Sequence, residues 1–302
     1  MTGQPAIGQP DDRQPATGQP APTGAALAPL RARYASWLGL DTEHVLLDRD
    51  EDPARIRALQ IVLRLERDRT PSWHAALALA ARGCAQLCLD PRAEPGGEWF
   101  DAIHDYCTGH IRKVTRRARA GHWDAIADLP GITLTAPDNG TGSGTGAAAP
   151  VTGPGTEIRV LLPGLVSELD KRVSRLQVGG TDAPRDDEPA PRPQDRPLGA
   201  ALRVWVNPAV TMTLGKTMAQ AGHAGMIAAA LLAGTDPIGL RRWAAGGMRT
   251  SARLLDRAVF DRMLAVLADP AAAWQEHGLL AVRDAGFTEI DPGTVTVIAK
   301  RP

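Results

Sequence analysis

The chain has little net charge to work with: 34 lysines and arginines balance 34 aspartates and glutamates, and the pI is near 7.1. With no global field to gather a polyanion, a nucleic-acid partner would have to meet a local basic patch. Cysteine is also scarce. Cys84, Cys88 and Cys107 lack paired CxxC spacing, which argues against a disulfide framework or a zinc ribbon and suits a reducing compartment. The opening MTGQPAIGQP has no charged segment leading into an apolar core, and the longest apolar run, Met226 to Ala233, is too short to span a bilayer, so a cytoplasmic protein without membrane contact is expected. Lysine is rarer than any of these totals suggests: Lys113, Lys171, Lys216 and Lys300 are the whole set, and arginine supplies the other basic positions. What is present is apolar matter enough for one or two cores, 43% of 302 residues.

Low-complexity stretches divide the chain. Residues 1–26 repeat Gly, Gln, Pro and Ala with little to bury, which predicts a disordered tail. Residues 136–156 are Gly-, Thr- and Ala-rich and read as a long loop inside a domain, whereas the Pro- and Asp-rich stretch that follows residue 178 reads as a linker. The expected domains are therefore 55–178 and 199–302, joined by 179–198. Each carries the same alternation of strands and helices, an α/β unit in two related copies. The residues correspond as well as the rhythm: ALQIVLR at 58–64 sits against ALRVWVN at 201–207, and IRKVTRRARAGHWD against MRTSARLLDRAVFD. That alignment matches Arg112 to Arg249, Arg116 to Arg253 and Asp124 to Asp261, and places Tyr106 and Trp243 five residues before their strands. An internal duplication is expected.

The densest stretch is LGKTMAQAGHAGM at 214–226. A phosphate loop requires a glycine five residues before its Gly-Lys-Thr, and Val210 stands there instead of the flexible residue that would let successive amides face a phosphate. A helix fits better. At about 100° per residue, Lys216, Gln220 and His223 fall on one narrow stripe. A cation in the first turn opposes the helix dipole, so an anionic group is expected beside Lys216.

This stretch resembles the Gly-Lys-x-x-Ala-Gln-x-x-His-Ala motif that opens the first helix of type II peptidyl-tRNA hydrolases. RDAGFTEIDPGTVTVIA at 283–299 is similar to the same family's Asp-Ala-Gly-x-Thr-x-Ile-x-Pro-Gly-x-x-Thr-Val near its C-terminus. The two motifs stand in family order and cover about residues 199–302. The resemblance implies an α/β fold with a mixed four-stranded sheet flanked by helices, and metal-free hydrolysis, without a cofactor, of the ester joining a peptide to the 3′ ribose of tRNA. It implies catalytic positions at Lys216, Gln220, His223, Asp284, Thr288 and Thr296. The sequence departs from the family pattern at Leu214, where a second lysine is common, and at Glu289 and Asp291, whose charges oppose RNA phosphates. Extended without a gap, the opening-strand alignment puts Trp73, Leu77 and Ala80 of the first half where Lys216, Gln220 and His223 stand, so the first copy has lost its catalytic groups and is left as a scaffold or an RNA-facing surface.

Chemically, Asp284 is the candidate to hold or deprotonate a water, Lys216 to meet the oxyanion or a phosphate, and the two threonines to donate hydroxyls. Arg112, Lys113, Arg116, Arg117 and Arg119 form the candidate RNA-binding strand, alternating between two faces. His104, Cys107 and His110 have helical spacing but no fourth ligand in sight for a metal. The rival reading is an inactive RNA-binding or partner-binding adaptor that keeps the fold. The expected partner is peptidyl-tRNA, and the duplicate would act either as a pseudo-dimer within one chain or within a homodimer.

Overall fold

The computed structural model describes residues 21–39, 52–136, 155–186, 201–284 and 290–302. After a 3-10 turn at Ala25–Leu27, helix α1 (Ala28–Gly39) leads to strand β1 (Arg57–Arg64), helices α2 (Trp73–Cys88) and α3 (Phe100–Thr108), and strand β2 (Lys113–Ala118). The short helix α4 (Gly121–Asp124), strands β3 (Gly131–Ala136), β4 (Thr156–Leu161) and β5 (Gly164–Leu165), and helix α5 (Lys171–Ser174) complete the first half. The second half runs β6 (Leu202–Val206), α6 (Leu214–Thr235), α7 (Pro237–Ala245), β7 (Thr250–Leu254), α8 (Arg257–Val266), α9 (Pro270–His277), β8 (Leu279–Arg283) and β9 (Val295–Lys300). The expected order includes neither α1 nor α9. The tail expected over 1–26 also ends sooner, because Ala26 and Leu27 are fully buried; residues 1–20 lie outside the described residues, as does most of the 136–156 loop.

The two sheets have one topology. The first is ordered β2-β1-β4-β3, with β5 added beside the start of β1, and the second β7-β6-β9-β8. In each, the opening strand pairs in parallel with the second and antiparallel with the last. The register agrees too: Leu59 opposes Lys113 as Leu202 opposes Thr250, and Ile61 opposes Val160 as Val204 opposes Ala299. The aligned aromatics do the same work. Tyr106 donates its hydroxyl to the carbonyl of Arg112 at 2.7 Å, and Trp243 its indole N–H to that of Arg249 at 2.9 Å. Those same carbonyls accept the amides of Leu59 and Leu202.

One buried cluster joins the halves. It takes side chains from α1, α2, α3, α6 and α7 and from the inner faces of both sheets. At its centre α2 packs against α6, α2 against β7, and α6 against β2. Small residues make this close approach possible. A Cβ on Gly225 would stand 2.0 Å from the Ala81 carbonyl oxygen, and one on Gly222 would stand 2.9 Å from Cys84 Sγ. Along this seam 81 meets 225 and 84 meets 222, the order reversed. The outer face of each sheet has its own smaller cluster, around Val62, Trp123 and Ile126 in the first and around Trp205, Phe260 and Ile298 in the second.

Candidate functional site

The site begins with a helix cap. Thr213 accepts a hydrogen bond from the Lys216 amide at 3.3 Å and so starts α6 with Lys216 at its third position. Further capping comes from a distance: Thr181 accepts the Gly215 amide through its carbonyl, and Asp182 accepts the Leu214 amide at 3.1 Å. Gln220 then falls one turn later on the same side.

Opposite this stripe, β8 ends at Arg283 and Asp284 follows it. The Asp284 amide donates to the Thr294 carbonyl and its own carbonyl accepts from Gly293, whose φ of 81° suits a residue without a Cβ. This hairpin base turns the carboxylate inward, where Asp284 is only 5% exposed. Its Oδ2 accepts both the Lys216 ammonium and, at 2.9 Å, the Gln220 amide. Gln220 Oε1 in turn accepts the hydroxyl of Thr296 at 2.8 Å, on β9, a residue with no exposure at all. The anionic group that the first-turn lysine calls for is therefore Asp284. Since Gln220 donates to a carboxylate and accepts from a hydroxyl, its amide orientation is fixed by chemistry. A buried carboxylate is tolerated because charge and amide together replace its water.

Four of the six predicted catalytic residues thus meet: Lys216, Gln220, Asp284 and Thr296. Lys216, with 22% of its side chain exposed, is the most open of them. Thr288 lies outside the described residues, as does Glu289. His223 is one turn beyond Gln220 and contacts Lys113 instead, with Nζ 3.4 Å from Nδ1. Burial first, then the charges of Lys113 and Lys216, hold its imidazole well below the ordinary histidine range.

The basic strand differs from the exposed stripe that alternation predicts. Lys113 points into the protein against α6, with its ammonium pushed down by burial. Arg116 donates to Gln60 Oε1 and to the Leu176 carbonyl, both at 2.8 Å, and Arg117 donates to Gln177 and to the Gly180 carbonyl. The chain after α5 folds back over this edge, where the Arg117 amide donates to the Gln177 carbonyl. Only Arg119 among the five is an exposed residue.

The ungapped correspondence for the first half also needs correction. Ser72 caps α2 as Thr213 caps α6, accepting the Ala75 amide at 3.1 Å. Counted from the register-matched Leu63 and Val206, the chain to this cap is two residues longer than in the second half, so Ala75, Leu79 and Arg82, rather than Trp73, Leu77 and Ala80, occupy the places of Lys216, Gln220 and His223. By strand register Glu157 replaces Thr296, and it binds Arg64 at 2.7 Å.

Sequence reasoning missed Asn207, whose Nδ2 donates to the Val295 carbonyl at 2.7 Å while its amide donates to the Thr296 carbonyl. An Asn-Pro step closing the opening strand was its only signal.

Residues 201–302 match the family model described as peptidyl-tRNA hydrolase PTH2. No curated protein and no solved structure matches the chain. Within the matched segment lie both halves of the site, the start of α6 and the β8–β9 hairpin. No described helix is long and apolar enough to cross a membrane.

Proposed function

We propose that the segment 201–302 hydrolyses peptidyl-tRNA, releasing the peptide from the 3′ ribose, in the cytoplasm and as part of translation. The observation that carries this reading is the convergence of Lys216 and Gln220 on the carboxylate of Asp284, with Thr296 behind them. An ester has a usable leaving group, so the reaction needs an oriented water, an acceptor for its proton and a charge to meet the tetrahedral oxyanion. Asp284 accepts the proton and returns it to the 3′ ribose oxygen as the tetrahedral species collapses and the ester bond breaks. Lys216, held at the carboxylate yet open on one side, moves its ammonium to the oxyanion as negative charge passes from the water to the ester oxygen. Gln220 and Thr296 keep the carboxylate aimed, and a charged donor in such a place contributes about 2 to 4 kcal/mol to the transition state.

We further propose that residues 55–178 are a diverged copy joined through 179–198, acting as a built-in second subunit. Shared strand order, shared register and the paired Tyr106 and Trp243 hydrogen bonds support this. The test of the hydrolase reading is release of peptide from peptidyl-tRNA by the full chain in the presence of chelator. Asp284→Ala and Lys216→Ala are each expected to lower the rate by a factor of about 10 to 100, the range for losing one charged participant. Equal rates in all three proteins, or none in the wild type, would remove the assignment.

A further inference from the structure

Lys113 belongs to the first half, yet its side chain reaches into the second. Its stem crosses α6 at Gly222, where an added Cβ would stand 3.2 Å from Lys113 Cδ. Its ammonium reaches Tyr106 Oη at 3.3 Å, the Ile111 carbonyl at 3.4 Å, His223 Nδ1 at 3.4 Å and Met226 Sδ at 3.5 Å. Tyr106 already donates its own proton to the Arg112 carbonyl, so its oxygen is left to accept. Three ammonium protons therefore have two oxygens, the ring nitrogen and the weaker Met226 sulfur to meet, and because an ammonium only donates, the His223 Nδ1 that faces it is placed to accept.

The opposite side of the seam lacks this pair. By strand register Thr250 stands in the second half where Lys113 stands in the first, and by helix cap Arg82 stands where His223 does. A lysine is present only where it meets the helix that carries Lys216 and Gln220. The half without the catalytic groups supplies the lysine, and the half with them lacks its own.

We propose that Lys113 is a positioning residue for the second half's site: it holds the His223 ring with Nδ1 bare and its proton on Nε2, so that the site is incomplete without the first half. The charged groups that act on the ring are Lys113 on β2 and Lys216 on α6, and those around the Lys113 ammonium are Tyr106 and Cys107 on α3 and Cys84 and Cys88 on α2. Burial pushes the Cys84 thiol up to about 11 and the Cys107 thiol up to about 12, so neither offers Lys113 a counter-charge near neutral pH. The catalytic part of this proposal rests on the hydrolase reading; the ring-proton part does not.

The test uses full-length protein labelled with 15N-histidine and followed by NMR through a pH titration, alongside peptidyl-tRNA cleavage. In the wild type His223 is expected to stay neutral below pH 6 with no proton on Nδ1. In Lys113→Met its titration should move up by about one pH unit, as expected on removing a neighbouring cation. The same variant should lose about tenfold in kcat with KM within twofold, the loss growing on the acid side. Lys113→Arg, which keeps the charge and a donor, should restore most of both. A protonated Nδ1 in the wild type overturns the proposal without any variant. So does a folded Lys113→Met whose His223 titration and kcat match the wild type. A wild type that cleaves nothing defeats the hydrolase reading, while the titration still decides the role of Lys113.

Discussion

At the third position of α2 stands Ala75, and at the third position of α6 stands Lys216, each facing the same place on its own sheet. One turn on, Leu79 answers Gln220, and across on the last strand Glu157 answers Thr296. Around the first set the structure shows an Arg64–Glu157 ion pair, and around the second a lysine and an amide converging on a buried aspartate. Strand order and register are unaffected by this exchange. The scaffold depends on which faces are apolar and where the small residues lie, and both halves preserve these. The chemistry depends on a few polar side chains that the scaffold tolerates but does not require.

That separation can be attacked most strongly at the seam. Gly225→Val would drive side-chain carbons into the Ala81 backbone, and a loss of about 3 kcal/mol is expected from urea unfolding, at the upper end for overpacked cores. Unchanged stability would show that the halves do not depend on this contact. A smaller effect separates His223 from its counterpart Arg82. Because the folded pKa of His223 is depressed, the unfolded chain takes up the proton first as pH falls below about 6.5, and stability declines from there by about 1 kcal/mol over the first unit. His223→Gln should make the acid slope shallower by that amount, whereas parallel slopes in the two proteins would place the ring in a charged state inside the fold. The smallest effect belongs to the first half: Glu157→Ala breaks a partly exposed pair and should cost less than about 1 kcal/mol, with peptidyl-tRNA cleavage unchanged. A tenfold loss of cleavage would instead tie this ion pair of the first half to the chemistry proposed for the second.

Apart from α1 and α9, the order of the main strands and helices was legible because periodicity, Pro and Gly speak locally. Thus α6 emerges from the Ala-rich run 214–235 and β9 from VTVIAK. Lys216 and Gln220 were legible as one stripe of a helix, whereas Asp284 and Thr296 were legible only through the likeness of the stretch 283–299 to a family motif. The direction of Lys113 was not, since alternation gives two faces to a strand but does not say that a helix from the other half covers one of them. The register of α2 was hidden by two extra residues ahead of it, which only the Ser72 cap resolves. The 179–198 stretch looked like a spacer because Pro, Asp and Gly predominate there, and nothing local tells that two of its carboxylates find helix starts far away in sequence.

Those carboxylates have a mechanical consequence. Asp182 accepts the Leu214 amide at the start of α6, and Asp186 accepts the His74 amide and the Ser72 hydroxyl at the start of α2. A ribbon only four residues from one aspartate to the other therefore leashes two helix mouths. One short stretch of chain thus ties the start of the helix that presents Lys216 to the start of its counterpart in the other half.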